Sequence, residues 1–222
     1  MRARRCDFHT HTLFSDGELL PMELIRRMAA ADHMAVGITD HASFSNLEQV
    51  IKGVALDCEK ADVWGIHAIP GVELTHVPVR YIDEAVRKSR RAGAELVVIH
   101  GETPVEPVEA GTNHKAVSNP EVDILAHPGM ITMGDVELAA SNGVYLEVSC
   151  RRGHSLGNGH VVAMANGTSA KLLVNTDAHS PSDISSMAFA TTVARGAGMT
   201  PEQVRAALVE NPAQLLKKLK RI

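Results

Sequence analysis

The chain has 222 residues and a formal charge of −4, with 45% hydrophobic and 22% charged residues, the balance of one globular domain with a buried core and not of a disordered tail. The acidic balance gives no general attraction to nucleic acid, and no run is apolar enough for a membrane span or a secretory leader, so the expected setting is the cytoplasm. Twelve histidines beside only seven aromatic residues point instead towards metal.

Short apolar runs alternate with segments of helical periodicity, the pattern of a parallel α/β protein. Strands are expected at 6–9, 35–39, 68–74, 96–100, 124–127, 145–149 and 172–175. Helix starts are marked by Pro21, by Ser45 with Glu48 and by Thr132 with Asp135, the latter two spaced as capping boxes. Thr200, Pro201 and Gln203, then Asn211, Pro212 and Gln214, repeat that pattern. They predict two helices over about 200–222 that pack on the domain. Lys217, Lys218, Lys220 and Arg221 would complement the last helix dipole. Two segments, 101–115 and 151–160, fit no regular element and are candidate functional loops. Cys6, Cys58 and Cys150 are too scattered for a disulfide framework or a CxxC zinc site, which suits a reducing compartment.

Residues able to bind metal fall at the far end of nearly every predicted strand: His9, His41, Glu73, His100, His127, Cys150 and Asp177, at intervals of 32, 32, 27, 27, 23 and 27. Each interval is one βα unit, so these side chains converge on the C-terminal rim of a barrel or a doubly wound sheet. In Asp7-Phe8-His9-Thr10-His11 the two imidazoles share one face of an extended strand, roughly 7 Å apart at Cα, within reach of one ion. Asp16 follows in a turn-like Ser15-Asp16-Gly17, and His179 lies two residues after Asp177. A carboxylate such as Glu73 at a buried strand end is costly unless cations compensate its desolvation.

The set Asp7-Phe8-His9-Thr10-His11, Ser15-Asp16-Gly17, Thr39-Asp40-His41, Gly71-Val72-Glu73, Ala126-His127-Pro128 and Asp177-Ala178-His179 resembles the polymerase and histidinol phosphatase (PHP) family over nearly the whole chain. The resemblance implies a distorted seven-stranded (βα)7 TIM-like barrel with two or three divalent metals, zinc, manganese or iron, at its C-terminal rim. It assigns His9, His11, Glu73 and Asp177 to one metal, and Glu73, His100 and His127 to a second, with Glu73 bridging. Asp16, His41 and His179 would hold a third.

Six neutral imidazoles and three carboxylates around three divalent ions leave the pocket positive, which suits a phosphoester better than a neutral amide. The expected reaction is in-line attack on phosphorus by a hydroxide held between two metals, without a protein nucleophile. Arg152, His154 and Lys115, from the two irregular segments, are candidate substrate contacts, and Cys150 reads as a small residue closing its strand. A small-molecule phosphomonoesterase of histidinol-phosphatase type is the leading expectation. A nuclease or nucleotide phosphoesterase taking a short nucleic acid, an amidohydrolase-type metal hydrolase and a scaffold without metal are the alternatives.

Overall fold

Every predicted strand forms. In a computed structural model, which describes residues 3–222, they are β1 (Arg5–Asp7), β2 (His33–Ile38), β4 (His67–Leu74), β5 (Leu96–His100), β6 (Ile124–Ala126), β7 (Tyr145–Ser149) and β8 (Leu172–Asn175). An unexpected two-residue strand, β3 (His41–Ala42), continues β2 past a bend at Thr39 and Asp40 and pairs with Glu73 and Leu74 of β4. The strands run in parallel in the order β1-β2-β4-β5-β6-β7-β8. With β2 and β3 acting as one bent stave, seven staves make a nearly closed, distorted (βα)7 TIM-like barrel. The seam lies between β8 and β1, where a single bridge joins Thr10 and Ala178 and the Phe8 N–H donates to Asn175 Oδ1.

Alternation along each strand sorts the side chains. Ile69, Leu96, Val98, Ile124, Tyr145 and Leu173 point into the barrel and form one buried cluster, while Val72, Val97, Leu125, Leu146 and Val174 face the helical layer. Continuing the inward rows towards the C-terminal end brings up Glu73, His100, Glu147 and Asn175, all buried. The chemistry therefore stands directly on the apolar plug, and short steric tolerances keep the staves close. A Cβ on Gly71 would lie 2.9 Å from Leu96 O, and one on Gly101 only 2.2 Å from Ala126 O.

The helices are α1 (Pro21–Ala30), α2 (Leu47–Cys58), α3 (Ile82–Ala92), α4 (Thr112–Val117), α5 (Met133–Asn142), α6 (Asn158–Ala165), α7 (Met187–Gly196), α8 (Pro201–Arg205) and α9 (Asn211–Lys218). Thr132 caps α5 by accepting from Asp135 N–H, and Thr200 with Gln203 forms the full box on α8. Two expected caps are corrected. Ser45 does not cap α2: Asn46 precedes the helix, and its Oδ1 is taken by Ser43 N–H. Asn211 starts no new helix, because a π turn over Ala206–Glu210 carries α8 into α9, and Asn211 Nδ2 donates to Leu172 O at the end of the barrel. The continuous run seats Leu215 and Leu216, both fully buried, among the inward-facing residues as the barrel floor. Its basic end does more than complement a dipole: Lys218 reaches Asp123 Oδ1 at 2.9 Å, and Arg221 forks onto Glu95 at 2.6 and 2.8 Å. Among the described residues no helix is long and apolar enough to cross a membrane.

Candidate metal centre

All nine expected metal donors meet at the C-terminal rim. His9 Nε2 lies 3.3 Å from Glu73 Oε1 and 3.8 Å from Asp177 Oδ1, and His11 Nε2 lies 3.7 Å from Glu73 Oε2 and 3.2 Å from Asp177 Oδ1. His127 Nε2 is 3.5 Å from the same Glu73 Oε1 and His41 Nδ1 is 2.6 Å from Oε2, so this one carboxylate faces four imidazoles. Asp16, on the exposed turn after β1, stands 3.2 Å from His179 Nε2 and 3.6 Å from His41 Nε2. Donor atoms fall into compact groups: His9, His11 and Glu73; His9, His127 and Asp177; His11, Asp16, His41 and His179; and His100, His127 and His154, each within 4.8 Å of one another. The last group differs from expectation, since His154 joins His100 and His127 instead of standing out in the loop.

Local backbone chemistry places these side chains. His127 and Asp177 both sit in the left-handed region, with φ of 27° and 54°, conformations that cost about 1–3 kcal/mol each in a non-glycine residue. Asp40, fully buried, accepts from Thr12 N–H, Thr12 Oγ1 and Ser15 Oγ, all at 2.7 Å, and so folds the 12–16 turn that delivers Asp16. Asp7 accepts from Thr176 N–H beside Asp177. Both acids hold loops and not imidazoles.

The sequence reading passed over Glu147. It is fully buried on β7, and its Oε2 accepts from His9 Nδ1 at 2.8 Å and from Asn175 Nδ2 at 3.0 Å. A lone acid in the apolar strand Tyr145-Leu146-Glu147-Val148-Ser149, at an inward position, was the available signal. Arg151, which the sequence offers only as part of the irregular 151–160 segment, holds two donors directly: its Nη1 donates to Asp177 O at 3.1 Å and to His179 Nδ1 at 2.7 Å. Glu106, from the irregular segment, contacts His100 Nε2 at 3.0 Å and His154 Nε2 at 3.5 Å. These two extra carboxylates reduce the positive excess that the charge count predicted, and Arg151 restores part of it.

Electrostatics follow the crowding. Burial opposes charge on His9, but the carboxylates of Glu147, Glu73 and Asp177 outweigh it and hold its pKa well above the ordinary value. Burial and the neighbouring histidine His41 push His11 well below. Burial raises Asp177, whereas Glu73, also buried, is driven well below the carboxylate range by His9, His41 and His100. Burial and His127 lower His154 to about 3, and the hydrogen bond from His100 holds Glu106 down at about 2. Cys150 is lifted to about 12 by burial, an inert thiol closing β7.

The donor set fits divalent ions. His9 Nε2, both nitrogens of His11, Glu73 Oε1 and Asp177 Oδ1 are buried without a hydrogen-bond partner, and burying so many unpaired polar atoms together is unfavourable unless something binds among them. Of the three expected substrate contacts, two lie at the rim. Arg152, exposed, lines a cavity of about 740 Å³ with Arg151, Thr176, Ser185 and Phe189, next to the Asp177 and His179 donors. His154 lies within the donors. Lys115 is a correction: its Nζ pairs with Asp83 of α3, which holds it between two outer helices and away from the donor cluster. His76 borders the rim, 3.7 Å from Glu106, while His33 is buried against Met28 O as a structural residue.

A parallel barrel with histidines and carboxylates gathered at its C-terminal rim defines a metal-dependent hydrolase. The chain belongs to the PHP family: the PHP domain profile matches residues 7–106. An uncharacterised protein of Methanocaldococcus jannaschii is 45% identical over 217 residues, covering 97% of this chain and all of that protein. The Bacillus subtilis DNA polymerase/3'-5' exonuclease PolX is 25% identical over 211 residues, and the chain spans 36% of its length. Among solved structures, a chain of archaeal ribonuclease P with mature tRNA shares the fold, with a TM-score of 0.66 at 17% identity over 97% of this chain and 91% of that one.

Proposed function

We propose that this protein is a phosphoester hydrolase, a small-molecule phosphomonoesterase of histidinol-phosphatase type, carried by one barrel domain over residues 1–222 in the cytoplasm. The observation that carries the reading is the convergence of nine donors, His9, His11, Asp16, His41, Glu73, His100, His127, Asp177 and His179, several of them with buried and unpartnered atoms, beside a cavity lined by two arginines. Two or three divalent ions, zinc, manganese or iron, would be held there, with Glu73 placed to bridge two of them. Bound, they supply Lewis-acid activation of water and neutralise phosphoryl oxygens.

The chain's own residues do the rest. Glu147 fixes the His9 ring through Nδ1, and Thr75 Oγ1 meets His41 Nδ1 at 2.7 Å, so these two imidazoles are oriented before anything binds. Arg151 ties the His179 and Asp177 donors to the cavity, where Arg152 offers a planar cation to an anionic group.

A nuclease or nucleotide phosphoesterase is the second reading. It is favoured by the similarity to PolX and by the half-exposed Phe189 in the same cavity, a surface on which a base can stack. An amidohydrolase-type activity fits less well, because Asp16 and His41 would have no part in it. Metal-reconstituted protein assayed on histidinol phosphate, other phosphomonoesters, nucleoside monophosphates and a short oligonucleotide, with His127→Ala as control, tests these readings. Turnover of histidinol phosphate or other small monoesters alone supports the first, turnover of nucleoside monophosphates or release of nucleotides from the oligonucleotide supports the second, and hydrolysis of none of these esters overturns both.

A further inference from the structure

His154 lies outside the nine donors, on the loop after β7, yet it is 5% exposed and its ring stacks on His127 with centroids 4.1 Å apart and planes 15° from parallel. Its Nδ1 is engaged by Thr103 Oγ1 at 2.7 Å, which leaves Nε2 to face the cluster. One ligand atom each from His100, His127 and His154 falls within a 4.8 Å group, and carboxylate oxygens of Glu106 and Asp177 stand 3.5 and 3.7 Å from His154 Nε2. A ring nitrogen fixed on one side by a hydroxyl and turned on the other towards imidazoles and carboxylates has the arrangement of a metal ligand with its orienting partner.

The loop is built to hold that ring in place. Ser149 N–H donates to Asn158 Oδ1 and Asn158 Nδ2 donates back to Ser149 O, closing residues 149–158 on themselves at the end of β7. Gly153 takes φ of 93° just before His154. Gly157 packs so closely on the turn after His127 that a Cβ there would be 2.9 Å from Gly129 Cα. The segment carrying His154 is thus seated against the segment carrying His127.

We infer that His154 Nε2 is a tenth donor, completing a three-imidazole site with His100 and His127 for one divalent ion, with Thr103 as its positioning residue. The inference rests on the rim being a metal centre and does not depend on which ester is hydrolysed. It adds a third imidazole to the ion that Glu73 is placed to share, which makes the donor shell nitrogen-rich with one carboxylate. Such a shell favours zinc over manganese or magnesium.

The test measures metal binding directly, on the full chain. Protein stripped with chelator is reloaded with zinc or cobalt and followed by elemental analysis, competition with a chromophoric chelator and the visible spectrum of the cobalt form. His154→Gln is expected to weaken one equivalent of zinc at least about tenfold and to change the cobalt spectrum, and Thr103→Val to weaken the same equivalent by up to about tenfold. His154→Asp, which restores a donor oxygen, is expected to regain part of the loss. If His154→Gln does not fold, Thr103→Val decides. Unchanged stoichiometry, affinity and cobalt spectrum in the His154 variants, with only KM raised, would overturn the inference and make His154 a substrate contact. Wild-type protein that binds no metal overturns the metal-centre reading together with this inference. Wild-type protein that loads metal but cleaves no phosphate ester overturns the proposed function alone.

Discussion

Glu147→Gln isolates what a single buried charge contributes to metal binding. Glu147 is fully buried, and one of its oxygens accepts from both His9 Nδ1 at 2.8 Å and Asn175 Nδ2 at 3.0 Å. A glutamine oxygen can keep both bonds, so the shape of the site survives and only the charge behind the imidazole is lost. Removing such a partner costs about 10- to 100-fold in metal affinity, or about 1.4–2.7 kcal/mol. A second effect opposes it. Burial disfavours a charged His9, but Glu147 leads the carboxylates that raise its pKa, so the metal-free wild type holds a proton that an incoming ion must expel. That competition is full below the raised pKa and vanishes as pH rises through it. It is weaker in Glu147→Gln, whose His9 lacks one of the raising charges. The affinity deficit of the variant should therefore be smallest near about pH 6.5 and grow as pH rises towards about 9. Chelator-competition titrations of wild type and variant across that range measure it. A deficit that shrinks with rising pH, or that stays below about threefold at the alkaline end, would refute this account of Glu147.

Gly101→Ala places a Cβ 2.2 Å from Ala126 O, between the strands that deliver His100 and His127, and should cost about 1–3 kcal/mol and reduce metal loading together. Thermal melts with elemental analysis check it, and loss of neither would show that the two strands can part. Leu215→Ala, at the fully buried barrel floor, should cost about 2–5 kcal/mol while leaving metal stoichiometry intact at low temperature. Lys115→Ala should lose no more than about 1 kcal/mol, with kcat and KM unchanged, because its partner Asp83 lies on an outer helix. Chelation of the loaded protein should lower the melting temperature, by the equivalent of about 2.7 kcal/mol for each site that was held at a hundredfold excess over its Kd.

The staves were legible because strands buried on both faces of a parallel barrel are nearly continuous apolar runs, and because one βα unit sets the spacing of the polar residues that end them. That is why Glu73, His100, His127 and Asp177 were placed at a common rim from intervals alone. Boundaries were less legible: β1 stops at Asp7, so His9 belongs to the stretch between the strand and the Thr10–Ala178 bridge and not to the strand. Glu106 and His154 sit in segments without periodicity, where only three-dimensional closure of the loop brings them inward. The π turn over Ala206–Glu210 was hidden because Asn211-Pro212 carries the marks of a helix start, while the hydrogen bond from Asn211 to Leu172 O exists only once the barrel is formed.

The junction between the first and last staves is unlike the others. Ladders join the remaining neighbours, but here one bridge, a few backbone bonds such as those from Asp177 N–H to His9 O and from Glu18 N–H to His179 O, and side-chain bonds connect residues as far apart as Asp7 and Thr176, 169 positions along the chain. His11 and Asp16 stand on one lip of that seam and His179 on the other. An ion shared by them is therefore a removable rivet between the two ends of the polypeptide. A permanent link closing so long a loop withdraws about 5 kcal/mol of freedom from the unfolded chain. The same atoms that shape the reaction centre would then decide whether the cylinder stays shut, and metal supply would set the lifetime of the fold as well as its activity.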